Sequence, residues 1–150
     1  GETRLFAVVN ASLHLRNITV GNGNAKFGGA IAASRSELSF NRVTFKENTA
    51  SSGGGAVYLS NGTTASFGED SFFIQNIAFR GGAILLNKGS NASWTGNTTF
   101  SENISLLGSG GAVFLAYSSN AIWTEASYFL INSAFVSGGA LTVLYGSSVV

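Results

Sequence analysis

The sequence predicts an all-β fold, a right-handed parallel β-helix in which about five coils of 26–29 residues stack along one axis. Three observations predict it: one tetrapeptide recurs at a regular interval, a second tetrapeptide precedes most of its copies, and the composition favours short strands. Twenty glycines without any proline, together with abundant Ser, Thr and Asn, are typical of strands joined by tight turns. We therefore expect residues 1–150 to form a single β-helix region, a fragment of a longer solenoid.

The first tetrapeptide is Gly-Gly-Ala followed by a branched aliphatic residue, and it occurs five times at spacings of 26, 27, 29 and 28 residues. The copies are Gly28–Ile31, Gly54–Val57, Gly81–Ile84, Gly110–Val113 and Gly138–Leu141. A repeat of this length without helical periodicity indicates parallel strands about 4.8 Å apart, whereas a propeller blade needs about 40 residues or more. A leucine-rich repeat is disfavoured because its Leu-x-x-Leu-x-Leu spacing is missing.

The second tetrapeptide is Phe-x-x-Asn, and the first coil departs from it, with Val20 and Gly23 in its place. The four copies are Phe45 with Asn48, Phe73 with Asn76, Phe100 with Asn103, and Phe129 with Asn132. A further column holds a large residue about ten positions after each motif alanine: Leu15, Phe40, Phe67, Trp94 and Trp123. These columns predict large side chains stacked in the core.

Each coil is expected to contain three short strands, the first of which begins at the motif alanine. Period-2 alternation places two aliphatic columns of that strand inward. They are Ile31, Val57, Ile84, Val113 and Leu141, and Ala33, Leu59, Leu86, Leu115 and Val143.

The motifs have structural roles in this interpretation. The paired glycines make a sharp corner, because only glycine enters positive φ without a steric cost, and the alanine leaves room where coils crowd together. The asparagines are expected to form a hydrogen-bonded ladder between coils: Asn48, Asn76, Asn103 and Asn132.

The alternation of Gly-Gly-Ala-aliphatic and Phe-x-x-Asn over residues 18–143 resembles the repeats of the chlamydial polymorphic outer membrane protein family. That resemblance implies the β-helical passenger of an autotransporter, displayed at the cell surface and implicated in adhesion. The family's C-terminal barrel has no counterpart in this sequence, and similar repeats occur in large extracellular proteins of other lineages.

The composition excludes several classes of function. Only 10% of the residues are charged and the net charge is +1, so no basic footprint for nucleic acid is present. Cysteine is absent, which excludes disulfides and thiolate metal sites, and no apolar run is long enough to span a membrane as a helix. We expect no cofactor, no metal and no membrane insertion by this segment.

Candidate catalytic groups are sparse. Glu47 and Glu102 occupy one column two coils apart, with Gln75 between them, and the strand spacing predicts a separation of roughly 9.6 Å. That value lies at the edge of the inverting-glycosidase range, but the neighbouring column lacks the polar cluster that such an enzyme needs. The single histidine, His14, is predicted to lie on the surface, and one adjacent acidic pair at residues 69–70 is too little for calcium. No catalytic residue is assigned.

The binding candidate is the outward column of the first strand, where three large apolar residues, Tyr58, Leu85 and Phe114, lie on adjacent coils. Two interpretations stay open: a docking stripe for a partner, another chain or a lid segment, or side chains that only support one another along the ladder.

Six Asn-x-Ser/Thr sequons indicate a secretory route and a glycoprotein: Asn10, Asn17, Asn61, Asn91, Asn97 and Asn103. The last belongs to the predicted ladder, and we expect it to be inaccessible.

The leading hypothesis is therefore a non-enzymatic extracellular or cell-surface repeat region that acts as an adhesin-like or structural scaffold. Its expected partners are a protein or glycan on another surface and the flanking coils of the same protein. The alternative is a carbohydrate-active β-helix enzyme, similar to a pectate lyase or polygalacturonase, whose catalytic residues lie mostly outside residues 1–150 or are not recognisable among them.

Overall fold

The computed structural model describes residues 1–150 and contains β-strands but no helix. In chain order the strands are β1 (Phe6–Val9), β2 (Ser12–Gly21), β3 (Asn24–Phe27), β4 (Ile31–Ser34), β5 (Glu37–Lys46), β6 (Thr49–Gly53), β7 (Val57–Ser60), β8 (Thr64–Gly68), β9 (Ser71–Ile74), β10 (Ile77–Arg80), β11 (Ile84–Leu86), β12 (Asn91–Trp94), β13 (Thr98–Ser101), β14 (Ile104–Ser105), β15 (Val113–Leu115), β16 (Asn120–Trp123), β17 (Ser127–Leu130), β18 (Ser133–Ala134), β19 (Leu141–Val143) and β20 (Ser148–Val149).

The strands form three sheets, and every strand pair is parallel. Sheet A has the order β1-β4-β7-β11-β15-β19, and sheet C has the order β18-β14-β10-β6-β3. Sheet B has the order β17-β13-β9-β5-β8-β12-β16-β20, with β2 paired to β5. Corresponding strands of successive coils therefore lie side by side, which confirms the prediction of an all-β solenoid.

Each coil passes through sheets A, B and C in that order and then reaches a glycine pair. Coil 1 comprises residues 1–27, coil 2 residues 28–53, coil 3 residues 54–80, coil 4 residues 81–109 and coil 5 residues 110–137. Residues 138–150 begin another coil with β19 and β20. The predicted number of about five coils is thus confirmed.

The sheet B segment of each coil bends in the middle. The prediction of three strands per coil did not include this bend. The bend lies inside the ten-residue strands β2 and β5, whereas in later coils it divides the segment into two short strands. Asn17, Arg42 and Glu69 occupy the bend with φ of 52°, 52° and 52°. Left-handed backbone at this position turns the chain, so the cross-section of a coil gains an additional corner.

The interior is filled by the predicted columns. The first inward column of sheet A is fully buried from Ile31 to Val113, and Leu59, Leu86 and Leu115 of the second column are fully buried as well. Two aromatic ladders lie behind sheet B. Phe40, Phe67, Trp94 and Trp123 stack with centroid distances of 4.9, 5.0 and 4.4 Å. Phe45, Phe73, Phe100 and Phe129 stack with distances of 5.0, 4.7 and 4.8 Å.

The two glycines of each pair have different roles. The first glycine has positive φ in all five copies, from 58° at Gly28 to 71° at Gly110. The second glycine does not, but a Cβ built on Gly82 would overlap the carbonyl oxygen of Gly111 in the next coil, and Gly29, Gly55 and Gly111 repeat this arrangement. The first position therefore needs glycine for its backbone conformation, and the second needs it because adjacent coils approach too closely for a side chain.

Candidate functional site

The asparagines of the Phe-x-x-Asn motif form a continuous hydrogen-bonded ladder at the corner between sheets B and C. Each side-chain amide donates to the Oδ1 atom of the asparagine in the next coil, at 3.0 Å from Asn48 to Asn76, 3.0 Å from Asn76 to Asn103 and 2.9 Å from Asn103 to Asn132. Asn48, Asn76 and Asn103 are fully buried.

Every hydrogen-bonding position of a central ladder amide is used. Asn76 Oδ1 accepts from the backbone N–H and from Nδ2 of Asn48, and Asn76 Nδ2 donates to Phe45 O and to Asn103 Oδ1. Since a saturated buried amide has no free donor or acceptor for a ligand, the ladder ties coils together and offers no binding chemistry.

The outward apolar column of sheet A lies outside the main core but is not an open stripe. Tyr58, Leu85 and Phe114 are in register on adjacent strands, and with Ala116 they form a small cluster of their own. Leu85 and Phe114 are each only 6% exposed, which corrects the expectation of a solvent-facing stripe. The cause lies across the glycine corner, where the ends of the sheet C strands approach the outer face of sheet A.

Three contacts show how this cover is built. The Phe27 ring lies 4.8 Å from the Tyr58 ring, and a Cβ on Gly53 would lie 2.5 Å from Leu85 Cδ1. Arg80, the last residue of β10, places its guanidinium 6.0 Å from the centroid of the Phe114 ring. The outer face of sheet A and the ends of the sheet C strands therefore enclose a concave surface, which we call the corner groove.

The corner groove has a volume of about 520 Å³. It is lined by Phe27, Ser51, Ser52, Tyr58, Phe79, Arg80, Leu85, Asn87, Phe114, Ala116 and Tyr117. A volume between about 300 and 1,000 Å³ with mainly apolar walls and a few polar groups is typical of ligand sites. The structure thus brings the three predicted binding residues to one concave site and adds partners that sequence reasoning missed.

The missed residues include Phe27 and Arg80, which occupy the same place in their coils, immediately before the glycine pair. The other residues at this place are Gly53, Ser109 and Ser137. Aligning the coils on the glycine pair would have shown that this column varies strongly and borders the outward column of the next strand.

The candidate acidic pair lies at a second concave surface, of about 610 Å³, beside the asparagine ladder. Gln75 lies between the two carboxylates, and its Nε2 donates to Glu102 Oε2 at 2.9 Å, while Glu47 pairs with Lys46 at 3.1 Å. The remaining lining residues are Thr49, Ile77, Ile104, Ile131 and Ser133. The other residues that line this surface have aliphatic, hydroxyl or amide side chains, and none of them is ionisable.

The remaining candidates stay apart. His14 is exposed on sheet B, and Glu69 forms an ion pair with Arg42. No group of three or more His, Cys, Asp or Glu side chains is arranged to hold a metal ion. The structure also contains no helix of the length and apolarity needed to cross a membrane.

Five of the six sequon asparagines are exposed: Asn10, Asn17, Asn61, Asn91 and Asn97. They lie in sheet B or in the turns that border it. Asn103 is fully buried in the ladder. Glycosylation of the five exposed residues stays a prediction.

Comparison with known proteins gives one finding. A search among curated proteins and a search among solved structures find no match. The family model of the Chlamydia polymorphic membrane protein (Chlamydia_PMP) repeat matches residues 42–60 and 97–116. Each matched segment contains one Phe-x-x-Asn and the Gly-Gly-Ala-aliphatic tetrapeptide that follows it. The predicted resemblance is confirmed, and the chain carries repeats similar to those of this Chlamydia membrane protein family.

Proposed function

We propose that this chain is a non-enzymatic, surface-displayed repeat region that attaches to a partner through the corner groove. The similarity to the Chlamydia polymorphic membrane protein repeat supports a surface-associated passenger region. The adhesive role rests on one observation: at the corner groove the variable outward residues of several coils combine into a concave, mainly apolar surface.

The distribution of repeated and variable residues supports this assignment. The residues that recur in most coils form the corner, the core and the ladder, and they leave few groups for chemistry. The corner groove is built instead from residues that differ from coil to coil. A surface of this kind suits a scaffold whose repeats hold the shape while a few positions determine what is bound.

Two measurements test the proposal. First, an antibody raised against sheet B should label intact cells of the native organism without permeabilisation. Second, the purified chain should select saturable binders from a displayed library of twelve-residue peptides or from a glycan array. We expect Tyr58→Ser and Tyr117→Ser to weaken the selected binders at least tenfold, because both side chains line the corner groove.

The matched control is Tyr128→Ser, since Tyr128 is 55% exposed on sheet B, away from the corner groove. It should leave binding unchanged. Labelling only after permeabilisation would contradict surface display. Absence of any saturable binder, or binders that tolerate both groove variants, would contradict attachment through the corner groove and leave a structural spacer.

A further inference from the structure

We propose that the corner groove recognises a peptide segment in which a carboxylate side chain lies next to an aliphatic side chain. This inference rests on the proposed function, because it specifies the partner of the same groove. Two features carry it: an unpaired guanidinium and an apolar floor.

The guanidinium belongs to Arg80, the only charged residue that lines the corner groove. It lies 5.3 Å from the centroid of the Phe79 ring and 6.0 Å from that of the Phe114 ring, so two aromatic faces hold it in place. The ion pairs of the chain are Arg4 with Glu2, Arg42 with Glu69 and Lys46 with Glu47. Arg80 forms none and donates no side-chain hydrogen bond, so its planar set of donors is available to a carboxylate.

The floor consists of Leu85, Phe114 and Ala116, which pack together outside the main core. Leu85 and Phe114 are each only 6% exposed, so the floor is a depression and not an open aromatic face. A depression with an apolar floor is suited to an inserted Leu, Ile or Val side chain. Because the exposed Tyr117 ring at the same groove could also stack on a sugar, the test includes an acidic sugar.

Asn87 also lines the groove, one residue beyond β11. Its Nδ2 donates to the hydroxyl of Tyr58 at 3.3 Å, so it orients the Tyr58 side chain at the edge of the apolar floor. A peptide thus supplies both complements of the groove: a carboxylate and an apolar side chain.

The test uses capped tripeptides as probes and NMR spectra of the whole chain. The probe acetyl-Leu-Glu-Leu-amide should shift the Leu85 methyl and Arg80 Nε resonances saturably, and its central-Gln counterpart should bind about tenfold more weakly. Arg80→Gln should reduce binding of the Glu probe to the level of the Gln probe and leave the Gln probe unaffected. Arg80→Lys, which keeps the charge but lacks the planar donors, should give an intermediate affinity.

The control variant is Arg16→Gln, because Arg16 is exposed on sheet B and forms no ion pair. It should bind both probes like the unmodified chain. Equal affinity for the Glu and Gln probes, or no binding of either, overturns the proposal. Binding of glucuronic acid that depends on Arg80, without binding of the peptide, assigns the groove to acidic sugars instead.

The outcome is separable from that of the proposed function. If library binders are lost in Tyr117→Ser but retained in Arg80→Gln, the corner groove is adhesive and its preference for carboxylates is wrong. If the Glu probe binds as expected but intact cells are not labelled, the peptide preference stands and surface display is wrong.

Discussion

The two corners that flank sheet C both turn the chain where adjacent coils touch, but they do so by different means. At the ladder corner, between sheets B and C, a buried asparagine binds the turn of its own coil to the next coil, and the residue before it varies: Glu47, Gln75, Glu102 and Ile131. At the glycine corner, between sheets C and A, the backbone itself makes the turn, and the second glycine has no room for a side chain. One corner depends on a side chain and the other depends on its absence.

The difference teaches where variation is tolerated. Both corners enforce identical residues on the inside of the turn, where coils touch. Outside the turn, each corner has a column of unlike residues, and at the glycine corner two of them, Phe27 and Arg80, line the corner groove. Residues that the turn restricts and residues that vary between coils therefore lie within a few positions of each other.

The largest loss of stability is expected for Gly82→Ala at the glycine corner. The added Cβ would overlap the carbonyl oxygen of Gly111 and lie 2.6 Å from the backbone nitrogen of Ile104. Backbone on both sides cannot move aside without separating the coils, so we expect a loss of about 4 kcal/mol or more in unfolding free energy. Urea unfolding followed by the fluorescence of Trp94 and Trp123 measures this loss.

Gly89→Ala provides the contrast, because Gly89 has φ of 71° but open space around its missing side chain. It should cost only about 1 kcal/mol, the strain of an L-residue in left-handed backbone. Equal costs for the two variants would show that coil-to-coil contact does not restrict the second glycine.

Asn76→Ala tests how much the ladder corner contributes to stability. Removing this amide leaves the backbone N–H of Asn48 without an acceptor, leaves Asn48 Nδ2 with only Val20 O, and removes a donor from the carbonyl oxygen of Phe45. Because these groups are buried, we expect a loss of about 3 kcal/mol in unfolding free energy. The exposed neighbour Gln75, changed to Ala, should alter stability by less than about 0.5 kcal/mol. A ladder without structural importance would give similar values for both.

The smallest expected effect concerns the variable position of the ladder corner, which Ile131 occupies in coil 5. Ile131 is β-branched, 83% exposed and held at φ of 54°. Asparagine adopts left-handed backbone more readily, so Ile131→Asn should raise the unfolding free energy by about 1 kcal/mol. The measurement uses protein expressed in the bacterial cytosol. Ile131→Val keeps the β-branch and should leave the melting temperature nearly unchanged. An identical shift for both variants would contradict an origin in backbone strain.

The sequence predicted the parts of the fold that repeat. Regular spacing identified the glycine pairs, the aromatic ladders and the asparagine column, because each contact is made between equivalent residues of adjacent coils. The burial of Leu85 and Phe114 was not predictable in this way. It depends on how far the ends of the sheet C strands reach across the glycine corner, where Phe27 and Arg80 each occur once. The bend in sheet B was also missed, because Asn17, Arg42 and Glu69 share no residue type that marks a left-handed position.

The asparagine ladder gives the stack a chemical direction. In every step the donor lies in one coil and the accepting oxygen in the coil that follows. The first step is made by Gly23, whose N–H donates to Asn48 Oδ1. Gly23 can donate to the coil that follows, but it has no side-chain oxygen to accept from a coil that precedes it. A coil without the asparagine can therefore begin the ladder but cannot continue it.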